Sequence, residues 1–225
     1  MAHRVYVDTG AILERSHAQQ AGLGFIGKNT LLINPRRGSF FFLGEIITTF
    51  EFDAYDEPYP MPAKGGVSCG RCARCLAACP TDAFPAPHVL DARRCLSYLT
   101  IELKSAIPVE WRPLMGNWVY GCDVCQAVCP FNRFAVATKE RAFFAAGIDR
   151  AAPPLVDLLA LTEATFRQRF AGSPILRLKR ERLVRNACVA AGNWRGAAAV
   201  PLLERLLDDE SALVREHAAW ALDQF

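Results

Sequence analysis

Eight of the nine cysteines lie between residues 69 and 129, and their spacing is typical of metal-binding thiols. The first run reads Cys-x2-Cys-x2-Cys-x3-Cys-Pro and comprises Cys69, Cys72, Cys75 and Cys79. The second run reads Cys-x2-Cys-x3-Cys-Pro and comprises Cys122, Cys125 and Cys129, with Cys95 between the two runs. Two-residue loops allow successive thiolates to reach one centre from a single turn. The pattern predicts iron–sulfur clusters, with a pair of zinc sites as the alternative.

The spacing of the first run is that of bacterial two-cluster ferredoxins, in which the fourth cysteine ligates the other cluster. If the last cysteine of each run ligates the other cluster in the same way, each of two [4Fe–4S] clusters has four thiolate ligands. The first predicted ligand set is Cys69, Cys72, Cys75 and Cys129. The second predicted ligand set is Cys79, Cys95, Cys122 and Cys125. Such a module transfers single electrons, and the leftover Cys188 is expected to pack in a helical core.

The composition indicates a globular protein of a reducing compartment. Hydrophobic residues make up 52% of the chain and charged residues 22%, and no segment approaches the ~18 consecutive apolar residues of a membrane helix. No apolar export segment precedes the first predicted strand. Since free cysteines are typical of reducing compartments, we expect a cytoplasmic protein. We also expect it to be a monomer without membrane contact.

Positive charge is concentrated in one part of the chain. Between Phe166 and Arg195 there are eight basic residues and one acidic residue, although the whole chain has a net charge of only +3. The rest of the chain is therefore net acidic. This segment predicts contact with phosphates, with a solvated helix face as the alternative. The predicted phosphate contacts are Arg177, Lys179, Arg180, Arg182 and Arg185.

The sequence pattern predicts an α+β fold in three segments, and the elements of these segments must position the residues named above. Residues 1–66 are expected to be mixed, with strands at Val5–Val7, Thr30–Ile33 and Phe40–Phe52 and a helix at Ala11–Ala21. Residues 67–133 form the predicted ferredoxin-like domain. Residues 134–225 are expected to be helical and to resemble a HEAT-type repeat. The helices predicted there are Leu183–Ala191, Ala197–Leu207 and Ala212–Asp223.

Several strings outside the cysteine spacing resemble the epoxyqueuosine reductases of tRNA modification. They are Val7–Gly10, Ala21–Thr30, Cys95–Glu102, Tyr120–Gln126, Gly172–Ile175 and Leu183–Asn186. The resemblance implies an oxidoreductase that reduces the epoxide of epoxyqueuosine, at the wobble position of tRNA with a GUN-type anticodon, to the alkene of queuosine. It also implies cobalamin beside the two clusters, an external electron donor, and binding of tRNA by the basic helical tail.

The resemblance assigns roles to individual residues. Asp8 would donate a proton during epoxide reduction, although an aspartate between a strand and a helix is often an N-cap. The predicted cobalamin-binding residues are Lys28, Asn29, Ser97, Tyr98 and Thr100. The last three follow ligand Cys95, and their alternative role is hydrogen bonding to cluster sulfurs. Family members carry a further N-terminal portion, so residues 1–66 are expected to be a partial cobalamin-binding segment.

Two other functions are consistent with part of the sequence. A non-catalytic two-cluster electron carrier would use the basic tail to dock on an acidic partner protein. A cobalamin enzyme similar to reductive dehalogenases would act on a small molecule, but it would not need a basic helical tail.

Overall fold

The computed structural model describes residues 5–6, 10–140 and 152–225, and the chain divides into two compact units. The first unit comprises the chain up to Ala78, then Phe84–Leu90 and Val124–Ala137. The second comprises Cys79–Ala83, Asp91–Asp123 and the chain from Thr138 onward. The units therefore cut across the three predicted segments, whose division stays a prediction.

The first unit is built from short elements around one antiparallel hairpin. Helix α1 is followed by strand β1, which pairs with strand β2, and two single-turn helices carry cysteines. Their bounds are α1 Glu14–Gln20, β1 Phe25–Ile26, β2 Leu32–Ile33, α2 Arg74–Ala77 and α3 Val124–Ala127. The ring of Phe25 lies 5.5 Å from that of Phe131 in an edge-to-face contact, so the hairpin packs on the chain just beyond α3.

Sequence predictions for the first unit were partly correct. The predicted helix Ala11–Ala21 appears as the shorter α1 and ends before Gly22, which adopts a left-handed φ of 70°. The predicted strand Thr30–Ile33 appears as β2. The predicted strand Phe40–Phe52 is wrong, because this stretch forms no regular element and most of its large apolar side chains are exposed. No strand among the described residues pairs with it. The predicted strand Val5–Val7 extends outside the described residues.

The second unit is helical and packs around one central helix. Its helices are α4 Leu155–Leu159, α5 Glu163–Arg169, α6 Lys179–Trp194, α7 Val200–Leu206 and α8 Ala212–Leu222, preceded by a π-helix at Tyr98–Glu102. Almost every residue of α6 from Arg180 to Gly192 is buried. A Cβ on Gly192 would lie 2.9 Å from Cα of Ala221, so only glycine permits α6 and α8 to approach this closely.

The predicted helices of the second unit were confirmed more fully than the predicted strands of the first. The three predicted helices correspond to part of α6, to α7 with the 3-10 turn before it, and to α8. The fold is thus mostly helical with a small two-stranded sheet, and the HEAT-like repeat stays a prediction. Cys188 is fully buried in α6, where burial raises the pKa of its thiol, as expected of a core residue. Among the described residues no helix is both long and apolar enough to cross a membrane.

His217 predicts a pH dependence of stability for the second unit. The backbone N–H of Ile107 donates to its Nε2 at 3.1 Å, and its Nδ1 lies 2.7 Å from the carbonyl of Leu213. Burial and the nearby Arg112 lower the pKa of His217 from 6.5 to about 4. From pH 6.5 down to about 4 the unfolded chain therefore binds a proton that the folded chain excludes. We expect the free energy of unfolding to fall by on the order of 3 kcal/mol over this window.

Urea unfolding at several pH values between 7 and 4 would measure this loss. His217→Gln retains a carbonyl that can accept from Ile107 but cannot be protonated, so its stability curve should be flatter. Equal slopes for the two proteins across the window would show that His217 does not carry the dependence.

Candidate iron–sulfur centre

The first predicted ligand set lies entirely within the first unit. Cys69, Cys72 and Cys75 lie at the start of α2 and in the loop before it, and Cys129 lies just beyond α3. Helices α2 and α3 pack together, which brings the two cysteine runs to the same place. All four thiols are partly buried and none is in a disulfide.

The thiols of this set also influence one another electrostatically. Burial raises the pKa of Cys75, and the neighbouring Cys69 and Cys129 raise it further. Burial likewise raises the pKa of Cys129, with additional contributions from Cys69 and Cys72. Neighbouring thiolates repel one another, which favours the protonated thiols. Iron reverses this preference when it binds, because its positive charge stabilises the coordinated thiolates. The donor set therefore suits an iron–sulfur cluster. The crossed assignment of Cys129 to the first run stays a prediction, and these interactions support it.

Lys28 holds the loop between the first two cysteines. Its Nζ donates to the carbonyls of Gly70 at 2.8 Å and Cys72 at 2.9 Å, and its backbone N–H donates to Sγ of Cys69 at 3.4 Å. The backbone N–H of His88 donates to the carbonyl of Lys28, which fixes the lysine itself. One residue thus orients the loop and places an N–H group on a predicted ligand sulfur. Hydrogen bonds of this kind shift the reduction potential of a cluster.

Three amide side chains fix the segment that carries Cys125 and Cys129. Nδ2 of the buried Asn29 donates to the carbonyl of Cys125 at 3.3 Å. Asn132 donates to the carbonyl of Gln126 at 2.6 Å and accepts from the backbone N–H of Ser39 at 2.7 Å. Gln126 donates to the carbonyl of Ser39 at 2.6 Å. These bonds join α3 and the turn after it to the chain on both sides of β2, at Asn29 and Ser39, and the cysteine spacing gave no indication of them.

The second predicted set is divided between the units. Cys79, Cys95 and Cys122 belong to the second unit, and Cys125 belongs to the first. Sγ of Cys79 accepts from the backbone N–H of Ala83 at 3.3 Å. Within the described residues no three Cys, His, Asp or Glu side chains are grouped so as to hold a single metal ion.

Thr100 links the neighbourhoods of Cys95 and Cys122. Its hydroxyl donates to the carbonyl of Leu96 at 2.7 Å and accepts from the backbone N–H of Gly121 at 3.0 Å. The side chain is fully buried inside the second unit. Thr100 therefore positions two predicted ligands, and its complete burial contradicts a direct contact with cobalamin.

Two other predicted cobalamin contacts also have different partners. The ammonium group of Lys28 is bonded to the cysteine loop, and the side chain of Asn29 is buried and bonded to the chain at Cys125. The side chain of Asn29 is therefore too buried for a direct contact with a further cofactor, and Lys28 would have to share its ammonium group with the cysteine loop. Ser97 and Tyr98 are partly exposed, so they stay predicted contacts. Asp8 lies outside the described residues, and its role as a proton donor stays a prediction.

The prediction that five basic residues contact phosphates is wrong for three of them. Arg185 is fully buried and donates to the carbonyls of Leu99, Leu103 and Ser105 at 2.6–2.9 Å. The guanidinium groups of Arg180 and Arg182 are also directed inward.

Arg180 donates to the carbonyl of Leu161 and to both carboxylate oxygens of Asp209, at 2.6 and 3.2 Å. Arg182 donates to three backbone carbonyls at 2.7–2.9 Å. Charged groups are rarely buried without such partners, so these arginines hold helix α6 to its surroundings. Arg177 and Lys179 are exposed, and Arg177 forms an ion pair with Glu102 at 2.8 Å.

Comparison with known proteins agrees with the cysteine chemistry. Residues 68–132 match the family model of a 4Fe-4S double cluster binding domain, which favours iron–sulfur clusters over zinc. A curated epoxyqueuosine reductase from Pseudomonas aeruginosa is 49% identical over 224 residues, which cover 97% of this chain and 59% of that protein. This chain belongs to the epoxyqueuosine reductase family. The enzyme of Escherichia coli is 45% identical over 223 residues, covering 98% of this chain and 56% of that protein.

Solved epoxyqueuosine reductases have the same fold over the part that this chain shares with them. A crystal structure of epoxyqueuosine reductase with an epoxyqueuosine-modified tRNA-Tyr stem loop matches with a TM-score of 0.87 at 36% identity. The match covers 97% of this chain and 56% of that one. The chain thus spans little more than half the length of the epoxyqueuosine reductases that it matches.

The Lys28 contacts predict a specific defect. Lys28→Met removes two charge-assisted hydrogen bonds from the Cys69–Cys72 loop, each of which contributes about 1–2 kcal/mol where it is partly shielded from water. We expect the chelator-induced loss of the predicted first cluster, followed by visible absorbance, to become about tenfold faster. Lys64→Met is the matched control, because Lys64 is an exposed lysine of the same unit. Equal rates in wild type and Lys28→Met would show that the hydrogen bonds of Lys28 do not stabilise the cluster.

Proposed function

We propose that this chain is the electron-transferring and tRNA-binding part of an epoxyqueuosine reductase. The observation that carries the proposal is the 45–49% identity over nearly the whole chain to curated epoxyqueuosine reductases. A relative bound to an epoxyqueuosine-modified stem loop supports the assignment of the substrate as tRNA that carries epoxyqueuosine.

The proposed reaction needs two electrons and two protons, because the epoxide oxygen leaves as water and an alkene remains. Two [4Fe–4S] clusters, when bound, supply electrons one at a time. The two predicted ligand sets provide eight thiolates for this purpose. Lys28 holds the loop between Cys69 and Cys72, and Thr100 holds the chain next to Cys95 and Cys122, which supports preformed positions for these four thiols.

Cobalamin enters this proposal through the resemblance to the family alone. Among the five predicted contacts, only Ser97 and Tyr98 have side chains that are neither buried nor bonded to the cysteine loops. Of the five predicted contacts, these two are therefore the ones most available to that cofactor. Asp8 stays the proposed proton donor.

For tRNA, the proposal relies on the exposed end of the basic segment. Arg177 lies in the 3-10 turn just before α6, and Lys179 is the first residue of α6 and has no ion-pair partner among the described residues. Each lysine or arginine that neutralises a phosphate releases counterions, so binding should weaken as salt is raised. The buried Arg180, Arg182 and Arg185 would contribute to tRNA binding only by keeping α6 in place.

Incubation with epoxyqueuosine-containing tRNA tests the proposal. The anaerobically loaded protein, supplied with cobalamin and a low-potential reductant, should convert epoxyqueuosine to a nucleoside lighter by one oxygen atom, as measured by mass spectrometry of digested tRNA. A reaction without cobalamin is the control for its requirement. Full loading with clusters and binding of the tRNA without conversion would favour the alternative, a non-catalytic electron carrier.

A further inference from the structure

An open groove of about 790 Å³ lies beside Cys129 in the first unit. It is formed by the chain at α2 and by α3 with the turn after it. Its lining includes the small side chains of Ala77, Ala78 and Ala127 and the predicted ligand Cys129 itself, together with larger residues such as Val128 and Asn132. Because the groove is open and three alanines lie along it, another molecule can approach the backbone next to a predicted cluster ligand.

The groove carries positive charge without compensating acidic residues. Arg74 and Arg133 line it, and both are exposed. Neither forms an ion pair with a carboxylate of the described residues, and the guanidinium of Arg133 lies over the ring of Phe134 at 4.5 Å. The two segments that build the groove, residues 67–78 and 124–137, contain three arginines and no aspartate or glutamate.

We propose that this groove is the docking surface for an acidic one-electron carrier protein of the flavodoxin or ferredoxin class. The inference rests on the proposed function, since it requires a cluster held by Cys129 and its set. One electron leaves the reduced donor and is accepted by that cluster, and no bond is made or broken. Charge complementarity between an acidic donor and the two arginines would increase the rate of encounter.

An electron donor fits the groove better than RNA does. Electron transfer slows steeply with distance, so a donor benefits from a shallow, alanine-lined path to a cluster ligand, whereas a phosphate backbone gains nothing from that proximity. RNA recognition also commonly uses exposed aromatic rings for stacking, and none of the described residues that line this groove is aromatic. The neighbouring ring of Phe134 is covered on one face by the guanidinium of Arg133.

The test is the rate at which reduced flavodoxin, used as the probe, reduces the clusters of the anaerobically loaded protein, followed by stopped-flow absorbance. Arg74→Glu with Arg133→Glu should slow this reduction about tenfold at low salt and make the remaining rate less sensitive to salt. Arg74→Gln with Arg133→Gln should give an intermediate rate. Lys104→Glu with Arg205→Glu is the matched control, because it makes the same change in charge at exposed residues of the second unit.

Reduced methyl viologen separates the possible outcomes. This small cation should reduce the clusters of all variants at least as fast as those of wild type, which would show that the clusters are intact. If it changes no absorbance in wild type, the proposed two-cluster function itself fails. If it reduces every protein but flavodoxin reduces the glutamate variant at the wild-type rate, the docking surface is wrong. Unchanged flavodoxin kinetics with weakened tRNA binding would instead assign the groove to RNA and also overturn the proposal.

Discussion

Replacement of Cys129 by alanine is expected to abolish the cluster held by Cys69, Cys72 and Cys75 and to leave the other cluster in place. The reason is that Cys129 lies with these three thiols in the first unit and raises the pKa of Cys75. Iron should fall from about eight to about four atoms per chain, with a parallel fall in acid-labile sulfide. Iron analysis and electron paramagnetic resonance of the reduced protein would measure the loss.

Cys188→Ala is the matched control for this experiment. Cys188 is a fully buried cysteine that belongs to neither predicted set, so its replacement should leave the iron content unchanged. Loss of the signal assigned to Cys79, Cys95 and Cys122 in Cys129→Ala, with the other signal retained, would contradict the crossed assignment.

Arg185→Met is expected to destabilise the second unit by about 3–5 kcal/mol, because it leaves several buried carbonyls without a donor. Burial and the nearby Arg182 lower the pKa of Arg185 to about 10, so the side chain remains charged at neutral pH. Its hydrogen bonds reach Leu99, Leu103 and Ser105, and Asn186 beside it binds the carbonyls of the π-helix and of Val119. Denaturant unfolding followed by far-ultraviolet circular dichroism would measure the effect.

Arg205→Met serves as the control, since Arg205 is exposed on α7 and its replacement should change stability by no more than about 0.5 kcal/mol. A similarly small change for Arg185→Met would show that its hydrogen bonds contribute little. An Arg185→Met protein of unchanged stability that binds tRNA more weakly would instead favour a direct phosphate contact of Arg185.

The difference between Arg185 and Lys179 shows where prediction from sequence was limited. Both residues belong to one basic stretch, and charge density alone gives them the same role. Arg185 faces carbonyls of a segment some 80 residues earlier in the chain, and such a contact has no local signal. The cysteine motifs were more informative, because ligand spacing is a local property that the metal itself constrains.

Phe40–Phe52 illustrates a second limit. Apolar and β-branched residues predict a strand, but a strand forms only where another backbone can pair with it. The described residues provide no such partner, and Phe42, Ile46 and Ile47 are among the most exposed large apolar side chains. The helices of the second unit were predictable because their apolar periodicity is satisfied within that unit, around α6.

We propose that this chain holds two [4Fe–4S] clusters on eight cysteines, and the iron and sulfide content tests this most directly. The anaerobically prepared protein should contain about eight irons and eight acid-labile sulfides per chain, and a reductive titration should take up about two electrons. Stoichiometric zinc with no labile sulfide would contradict this assignment, as would about eight irons per chain that remain when Cys129 is replaced.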